Sequence, residues 1–479
     1  LSPTWHNHTG NQVCHPQVIF RPGSLAELVE LVRRAEAEGQ TIRMTGTGHS
    51  WSDIALSEGF LLDPRDLSGV SGVEGEPLSE AARERELVRV LGGTPIHVLN
   101  DRLWEMGLAL PNMGGYDAQT LAGVISTSTH GSGLAYGPFP DLVRSLDLVI
   151  SGGRVLRLEP ADGPTLANPG PLGGDGGPPI ELVQNDALFH AAACGLGTLG
   201  LVHSMLIEVR ERFWLKEVRT LSTWEEVRET LTPEGVLAGP DHYELFVNPY
   251  AGSDGRHRLL VTRRTECPEP AEGTPQDKLE RNFLTELETS LPLTGALVRF
   301  LARHLPRLMT KRFDSVLKDM EDDSYANRSY KVFNIGEANH LPAYSMELGI
   351  AVDGRHVEAV DRILEIAAIR AEEGLFHSSP FSLRFTAPSS AYASMMHGQP
   401  TMMIELIMVT ESRGGFALLE GYEHRLEDLG ARPHWGQYNT LTPERVAQLY
   451  PAWDAWLAAE KELNASGVFD SPFTERVGI

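Results

Sequence analysis

The sequence predicts an α+β protein of two domains, and a change of texture along the chain carries that reading. Up to about residue 210, short β-like runs alternate with amphipathic helices and Gly-rich turns; beyond Arg212 the segments become long strands and long helices. The length of 479 residues suits two or three domains of roughly 100 to 200 residues and a core large enough to hold a buried cofactor. With 41 Lys and Arg against 65 Asp and Glu, the formal charge is −24. That balance argues against nucleic acid and anionic membrane as partners, since both require a basic face.

In the first half, QVIFRP (17–22) reads as a strand. Ser24 and Glu27 form a capping box, and Leu25, Leu28, Val29 and Val32 recur at helical spacing up to a stop at Gly39. TIRM (41–44) is a second strand. LVRVLGG (87–93) is a third, followed by Thr94 as cap and Pro95 as first residue of a helix to about Gly107. LDLVI and RVLRL form a hairpin around Ser151-Gly152-Gly153, and the Pro- and Gly-rich stretch 159–179 reads as a surface loop.

The second half comprises HYELFVNPY (242–250), LLVTRRT (259–265), a polar linker (266–277), a helical region 277–310, YKVFNIGEA (330–338) and SMELGIAV (345–352). A helix near 355–373, FSLRFT (381–386) and MMIELIMV (402–409) complete a pattern of helices packed on an antiparallel sheet. Leu449, Trp453, Trp456 and Leu457 have helical spacing and read as core. His6 and His8 read as exposed on a frayed terminus.

Cys14, Cys194 and Cys267 are odd in number, far apart and without CxxC spacing. They indicate neither a disulfide framework nor a thiolate metal site, and fit a reducing, cytoplasmic compartment. No run approaches 18 apolar residues, so no membrane-spanning helix is expected. Lysine occurs six times and nowhere before Lys216, which leaves the first half without a catalytic lysine.

Two segments point to chemistry. Thr45-Gly46-Thr47-Gly48-His49-Ser50 follows a strand, and its glycines let backbone N–H groups approach an anionic group such as a pyrophosphate. The stretch from Gly114 and Gly115 through Thr120, Gly123, Thr127, Thr129 and His130 to Gly133 supplies small residues, hydroxyls and amides suited to a long phosphate-bearing cofactor. A third, Gly195-Leu-Gly197-Thr-Leu-Gly200, satisfies GxGxxG. It follows a helical DALFHAAAC and precedes the strand GLVHSMLIEV, the reverse of the nicotinamide dinucleotide arrangement.

These segments, with FSLRFT and Arg432-Pro-His434-Trp-Gly-Gln437, resemble the flavoproteins of vanillyl-alcohol oxidase type. Within them the likeness is to the aldonolactone (gulonolactone and arabinonolactone) and alditol oxidases, and it covers nearly the whole chain. The resemblance implies a two-domain flavoprotein: an FAD-binding domain (1–212), an α+β substrate or cap domain (213–432) and a C-terminal segment (433–479) returning to the first. It implies FAD held by Thr45 to Ser50, by Gly114, Gly115, Thr120, Gly123, Thr127, Thr129 and His130, and by Gly200 and Val202. His49 stands where histidine-linked members attach the flavin covalently. His130 either contacts the cofactor or supports it structurally. Gly114 occupies a position where glycine leaves room for dioxygen and so favours an oxidase.

The chain departs from the family at two positions. The Glu-x-Arg pair of the lactone and alditol oxidases is Ser382-Leu-Arg384 here, and their His-Trp-Gly-Lys is His434-Trp-Gly-Gln437. Glu405, alone in an apolar run, either faces water from an edge strand or pairs with Arg384. Glu347 is a further substrate-facing candidate. Arg384 is expected to hold developing negative charge, Glu405 and His434 are the candidate bases, and Gln437 is a neutral donor in place of the lysine. The implied reaction oxidises a hydroxyl of an aldonolactone, alditol or related polyol to a carbonyl, with hydride passing to flavin N5 and dioxygen yielding hydrogen peroxide. Two alternatives remain open: a tailoring oxidase acting on an amine-bearing cyclitol or glycoside, and a flavin-binding protein that no longer catalyses.

Overall fold

The computed structural model describes residues 2–166, 177–271, 284, 285, 287, 295–336 and 341–479. Two domains are built on separate sheets. In the first, strands Val18–Phe20, Phe60–Leu62 and Ile42–Met44 form a small parallel sheet in that order. The helix Leu25–Ala37 crosses between two of them, burying Leu25, Leu28, Val29 and Val32. Ser24 accepts from the Glu27 amide, but the Glu27 carboxylate reaches back to the Gly23 amide at 2.6 Å instead of that of Ser24.

Beside it lies a six-stranded sheet in the order Ile180–Gln184, Arg154–Glu159, Val143–Ile150, Leu201–Glu208, Leu87–Leu91, Val70–Ser71. The expected hairpin is present, with its turn at Ser151–Gly153, where Gly152 and Gly153 take φ of 75° and 65°. The helix after strand Leu87–Leu91 is Ile96–Glu105, and Pro95 is its cap, not its first residue. The Thr94 hydroxyl donates to Leu91 O at 2.7 Å and accepts from the Gly69 amide at 3.0 Å, which ties it to the strand end and not to the helix. Helix Asp186–Ala192 precedes the GLGTLG stretch and strand Leu201–Glu208 follows it, the order that excludes a dinucleotide turn.

The second domain is an eight-stranded antiparallel sheet in the order Ala326–Arg328, Trp214–Thr223, Arg258–Cys267, His242–Val247, Phe381–Thr386, Thr401–Val409, Ala343–Ala351, Arg432–Pro433. Side chains alternate across a strand, and the sequence uses both faces. Leu245, Leu383, Ile404, Leu406, Met346 and Leu348 point to the core beneath helices Arg355–Glu372 and Gly415–Arg425. Each fully buried Leu or Ile there contributes roughly 1.5–3 kcal/mol. The intervening residues Phe246, Ser382, Arg384, Glu405, Glu347 and Ser345 share the opposite face.

Ser329–Phe333, which opens the YKVFNIGEA segment, is a short helix whose amide at Ser329 is taken by Phe213 O, and residues 337 and 338 lie outside the described set. The 277–310 region contains helices Gly295–His304 and Pro306–Thr310, broken at Leu305 before the proline; residues 277–283, 286 and 288–294 lie outside the described set. Most of the Pro- and Gly-rich loop, residues 167–176, also lies outside it.

The C-terminal helices return to the first domain. Trp453 and Trp456 are buried in its core, Trp456 Nε1 donates to Cys194 O at 3.1 Å, and Arg476 pairs with Asp53 at 2.6 Å. Among the described residues, no helix is long and apolar enough to cross a membrane.

Candidate active site

The loop Thr45–Ser50 leaves the strand Ile42–Met44 and turns through Gly48 at φ 75°. A Cβ at Gly46 would come within 2.7 Å of Thr120 Oγ1, so only glycine lets the two segments approach this closely. The amides of residues 46–50 find no acceptor among the described residues. Five consecutive unspent donors in a glycine turn are what a phosphate-bearing ligand requires. Opposite them, the Thr120 hydroxyl caps the helix Leu121–Ser126 by accepting from the Gly123 amide, and Thr127 Oγ1 donates to Gly123 O at 3.1 Å.

Between these segments lies a cavity of about 240 Å³, and a second of about 90 Å³ adjoins it, sharing Thr45, Gly46, Ser50, Thr120, Gly123 and Thr127. Thr47, Gly48, His49, Gly114, Gly115, Thr129 and His130 also line the larger cavity, while Gly200 and Val202 line the smaller. All fifteen cofactor positions read from the sequence therefore border one elongated space. The free amides, the small residues and the hydroxyls fit FAD. Arg43, which the sequence did not single out, lines the smaller cavity; burial pulls it down to about 10, and it donates to Leu196 O at 2.7 Å.

His6 and His8 are exposed, as the sequence suggested, but His8 also lines the larger cavity. The terminus is not frayed: Trp5–His6 pairs with Val13–Cys14, and the His8 ring stacks on His49 with centroids 4.7 Å apart. His49 Nδ1 lies 2.9 Å from Thr47 Oγ1, and burial, with His8 alongside, lowers His49 to about 4.

The opposite wall is the inner face of the eight-stranded sheet. Arg384 Nε donates to Glu244 Oε1 at 2.9 Å, and its Nη1 lies 3.3 Å from Glu405 Oε2. Burial opposes the charge on Arg384, but Glu244, Glu405 and Glu347 outweigh it and raise its pKa. Glu405 is the direct cross-strand partner of both Ser382 and Glu347. Ser382 Oγ donates to Glu405 Oε2 at 3.2 Å, and Ser345 Oγ makes only a long contact to Oε1, at 3.4 Å. Burial raises the Glu405 pKa, Arg384 offsets this in part, and Glu347 and Glu244 add to the rise. Burial pushes Glu347 the same way, but the His130 side chain, 3.1 Å from its Oε1, together with His434 and Arg384 outweighs burial and holds it low. His130 Nδ1 meets Gly131 O at 2.8 Å.

His434 and Gln437 close the cavity from the C-terminal segment. Burial lowers His434 to about 4. The Gly436 amide donates to its Nδ1 at 3.0 Å, so the neutral ring carries its proton on Nε2 and offers a donor there, not a lone pair. Of the two candidate bases, this leaves Glu405 with the better geometry. Gln437 Oε1 is buried without a partner among the described residues; the unspent group is an acceptor, where the sequence suggested a donor.

Behind Arg384 the charges continue across the sheet, from Glu244 to Arg264 at 3.1 Å, to Glu217 at 2.8 Å and to Arg219 at 3.0 Å. Such a buried alternating ladder fixes Arg384 at the price of desolvating each member.

Comparison with known proteins agrees with this geometry. Residues 16–159 match the family described as FAD binding domain, and residues 205–477 match that described as D-arabinono-1,4-lactone oxidase. The chain is 29% identical over 480 residues to the L-gulono-1,4-lactone dehydrogenase of Mycobacterium tuberculosis, covering 100% of this chain and 99% of that protein. It is 23% identical to the L-gulonolactone oxidase of Mus musculus, covering 97% and 96%. Cholesterol oxidase from Brevibacterium sterolicum shares the fold, with a TM-score of 0.76 at 14% identity over 100% of this chain and 97% of that one. The chain is an FAD-dependent oxidoreductase and belongs to the D-arabinono-1,4-lactone oxidase family.

Proposed function

We propose that the protein is an FAD-dependent oxidase of sugar lactones that converts a ring or side-chain hydroxyl to a carbonyl and releases hydrogen peroxide. The observation that carries this reading is the meeting, in one cavity, of the free-amide loop at 46–50 with Arg384, Glu405, Glu347, His434 and Gln437. FAD, held by the 45–50 loop and the 114–130 segment, would supply the two-electron acceptor for the hydride and the route of the electrons to dioxygen.

The protein's own groups do the rest. Arg384, fixed by Glu244, presents permanent positive charge to oxygen that becomes negative. His434 donates from Nε2 to a substrate oxygen, and Gln437 Oε1 accepts from a substrate hydroxyl. Glu405 Oε2 is held by Ser382 and Arg384, which leaves Oε1 to take the hydroxyl proton as the carbinol is oxidised. Glu347 stays ionised beside His130 and helps keep Glu405 available as a proton carrier. His49 carries the flavin covalently, and Gly114 leaves the space through which dioxygen reaches it. In this reading residues 1–212 and 433–479 form the cofactor domain and residues 213–432 the substrate domain, and the enzyme works in the cytoplasm, where Cys14, Cys194 and Cys267 stay free.

The test is steady-state turnover in air with a panel of aldonolactones, alditols and amino cyclitols. The expected result is one hydrogen peroxide released per lactone oxidised. Turnover with an artificial electron acceptor but not with dioxygen would remove the oxidase assignment, and turnover with amino cyclitols alone would remove the substrate class.

A further inference from the structure

The N-terminal hairpin is docked onto the Thr45–Ser50 loop by its own side chains. The buried Asn7 donates from Nδ2 to Ser50 O at 2.9 Å, and Asn11 and Gln12 each donate to Trp51 O at 2.9 Å. The turn held in this way carries His8. Its backbone amide and its Nδ1 both meet Gly48 O, at 2.9 and 3.1 Å. A carbonyl only accepts, so His8 keeps its proton on Nδ1, and the ring is fixed in both plane and tautomer. That ring lies over the His49 ring with the two planes 19° from parallel.

His49 sits where the backbone gives it little direction. It follows Gly48, at φ 75°, in a turn that also contains Gly46. Thr47 Oγ1 contacts one ring nitrogen and the His8 ring covers one face. His49 is half-buried beside a second imidazole, which disfavours its charged form, and a neutral imidazole has the lone pair that a nucleophile needs.

We propose that His8 is a positioning residue for attachment of the flavin to His49, its stacked ring holding the His49 imidazole in the orientation from which a ring nitrogen meets the flavin 8α carbon. The inference rests on the covalent reading given above. Attachment forms one C–N bond and displaces two hydrogens, one from the 8α-methyl carbon and one from the His49 ring. The two electrons and two protons pass to the flavin, and dioxygen accepts them as hydrogen peroxide. Orientation of reacting atoms is a large term in such a step, and misplacing them by about 1 Å costs on the order of a hundredfold.

The experiment uses full-length wild type, His8→Ala and His8→Phe, each expressed in riboflavin-starved cells and then given FAD in air. Two quantities are read: flavin retained after gel filtration, and flavin fluorescence remaining on the band after denaturing electrophoresis, followed over time. The expected result is that His8→Ala retains FAD as the wild type does but attaches it about tenfold or more slowly. His8→Phe, which keeps a ring over His49, falls between the two. Equal attachment rates in all three proteins would overturn the proposal. So would parallel loss of retention and attachment in both variants, because His8 would then support the loop without aiming His49. A wild type that retains FAD but never shows attached flavin fails differently: it removes the covalent reading itself.

Discussion

Ser382 and Glu405 face each other across neighbouring antiparallel strands, and the serine hydroxyl donates to Glu405 Oε2 at 3.2 Å. Arg384 thus has an acidic partner on the adjoining strand, with its Nη1 3.3 Å from Glu405 Oε2. The register also sets Glu405 directly opposite Glu347. Two carboxylates side by side do not ionise equally easily. His130 holds Glu347 as the carboxylate, and the proton is retained more readily on Glu405.

Replacing Glu405 with Gln keeps the hydrogen bonds to Ser382 and removes the proton acceptor. Anaerobic reduction of the bound flavin by substrate should slow by about 10²-fold or more, with flavin content unchanged. In the wild type the reduction rate should rise with pH through the raised Glu405 pKa and then level, and Glu405→Gln should lose that rise. Rapid-mixing absorbance across pH checks both. A rise that persists in the variant would take the base role away from Glu405.

Arg384→Met takes from the buried Glu405 its cation and leaves Glu244 with Arg264 alone. Breaking a buried pair from one side costs about 3–5 kcal/mol, so a large drop in unfolding temperature is expected, together with a rate loss of about 10²-fold or more from the missing positive charge. Double replacement with Glu405→Gln should recover part of the stability and none of the rate. Thermal melts and flavin reduction on the same preparations separate the two effects.

Gly114→Ala tests access by dioxygen. The added Cβ would stand 3.3 Å from His130 O and 3.6 Å from Thr129 Cγ2, tight but without forcing the backbone apart. Reoxidation of the reduced flavin by dioxygen should slow about tenfold or more, a barrier increase of about 1.4 kcal/mol, while reduction by substrate is unchanged. Equal reoxidation rates would contradict the role given to this glycine.

Stability should fall on mild acidification. Burial lowers His242 to about 3, His377 to about 3 and His434 to about 4, against an ordinary 6.5. Between pH 6.5 and 4 the unfolded chain therefore binds more protons at these positions than the folded one. Each contributes stability that is present above pH 6.5 and lost as pH falls, by about 1.4 kcal/mol per pH unit. Unfolding midpoints measured from pH 7 to pH 4.5 should decline. His377→Gln, removed from the cavity and bonded through Nε2 to the Tyr422 hydroxyl at 2.6 Å, should flatten the decline. An unchanged slope would show that other groups govern it.

Much of this was legible from sequence because it depends on local chemistry. The glycine turn at 46–48 and the strands Phe381–Thr386 and Thr401–Val409 each follow from residue type and spacing alone. What escaped depends on pairing between distant strands. Glu244 looks like any polar residue in a half-exposed strand; only the register that sets it opposite Arg384 makes it part of the site. The tautomer of His434 follows from the Gly436 amide, a contact made by a turn geometry that spacing does not specify. The contact of His8 with His49 escaped for a similar reason, since the Asn7 bond that docks its hairpin spans 43 residues.

The most direct test of the central claim is anaerobic mixing of the purified flavoprotein with an aldonolactone, followed by admission of air. The account predicts bleaching of the oxidised-flavin absorbance on mixing, full recovery in air, and one hydrogen peroxide formed per flavin. Flavin that stays oxidised with every aldonolactone tried, in protein that binds FAD fully, would contradict it.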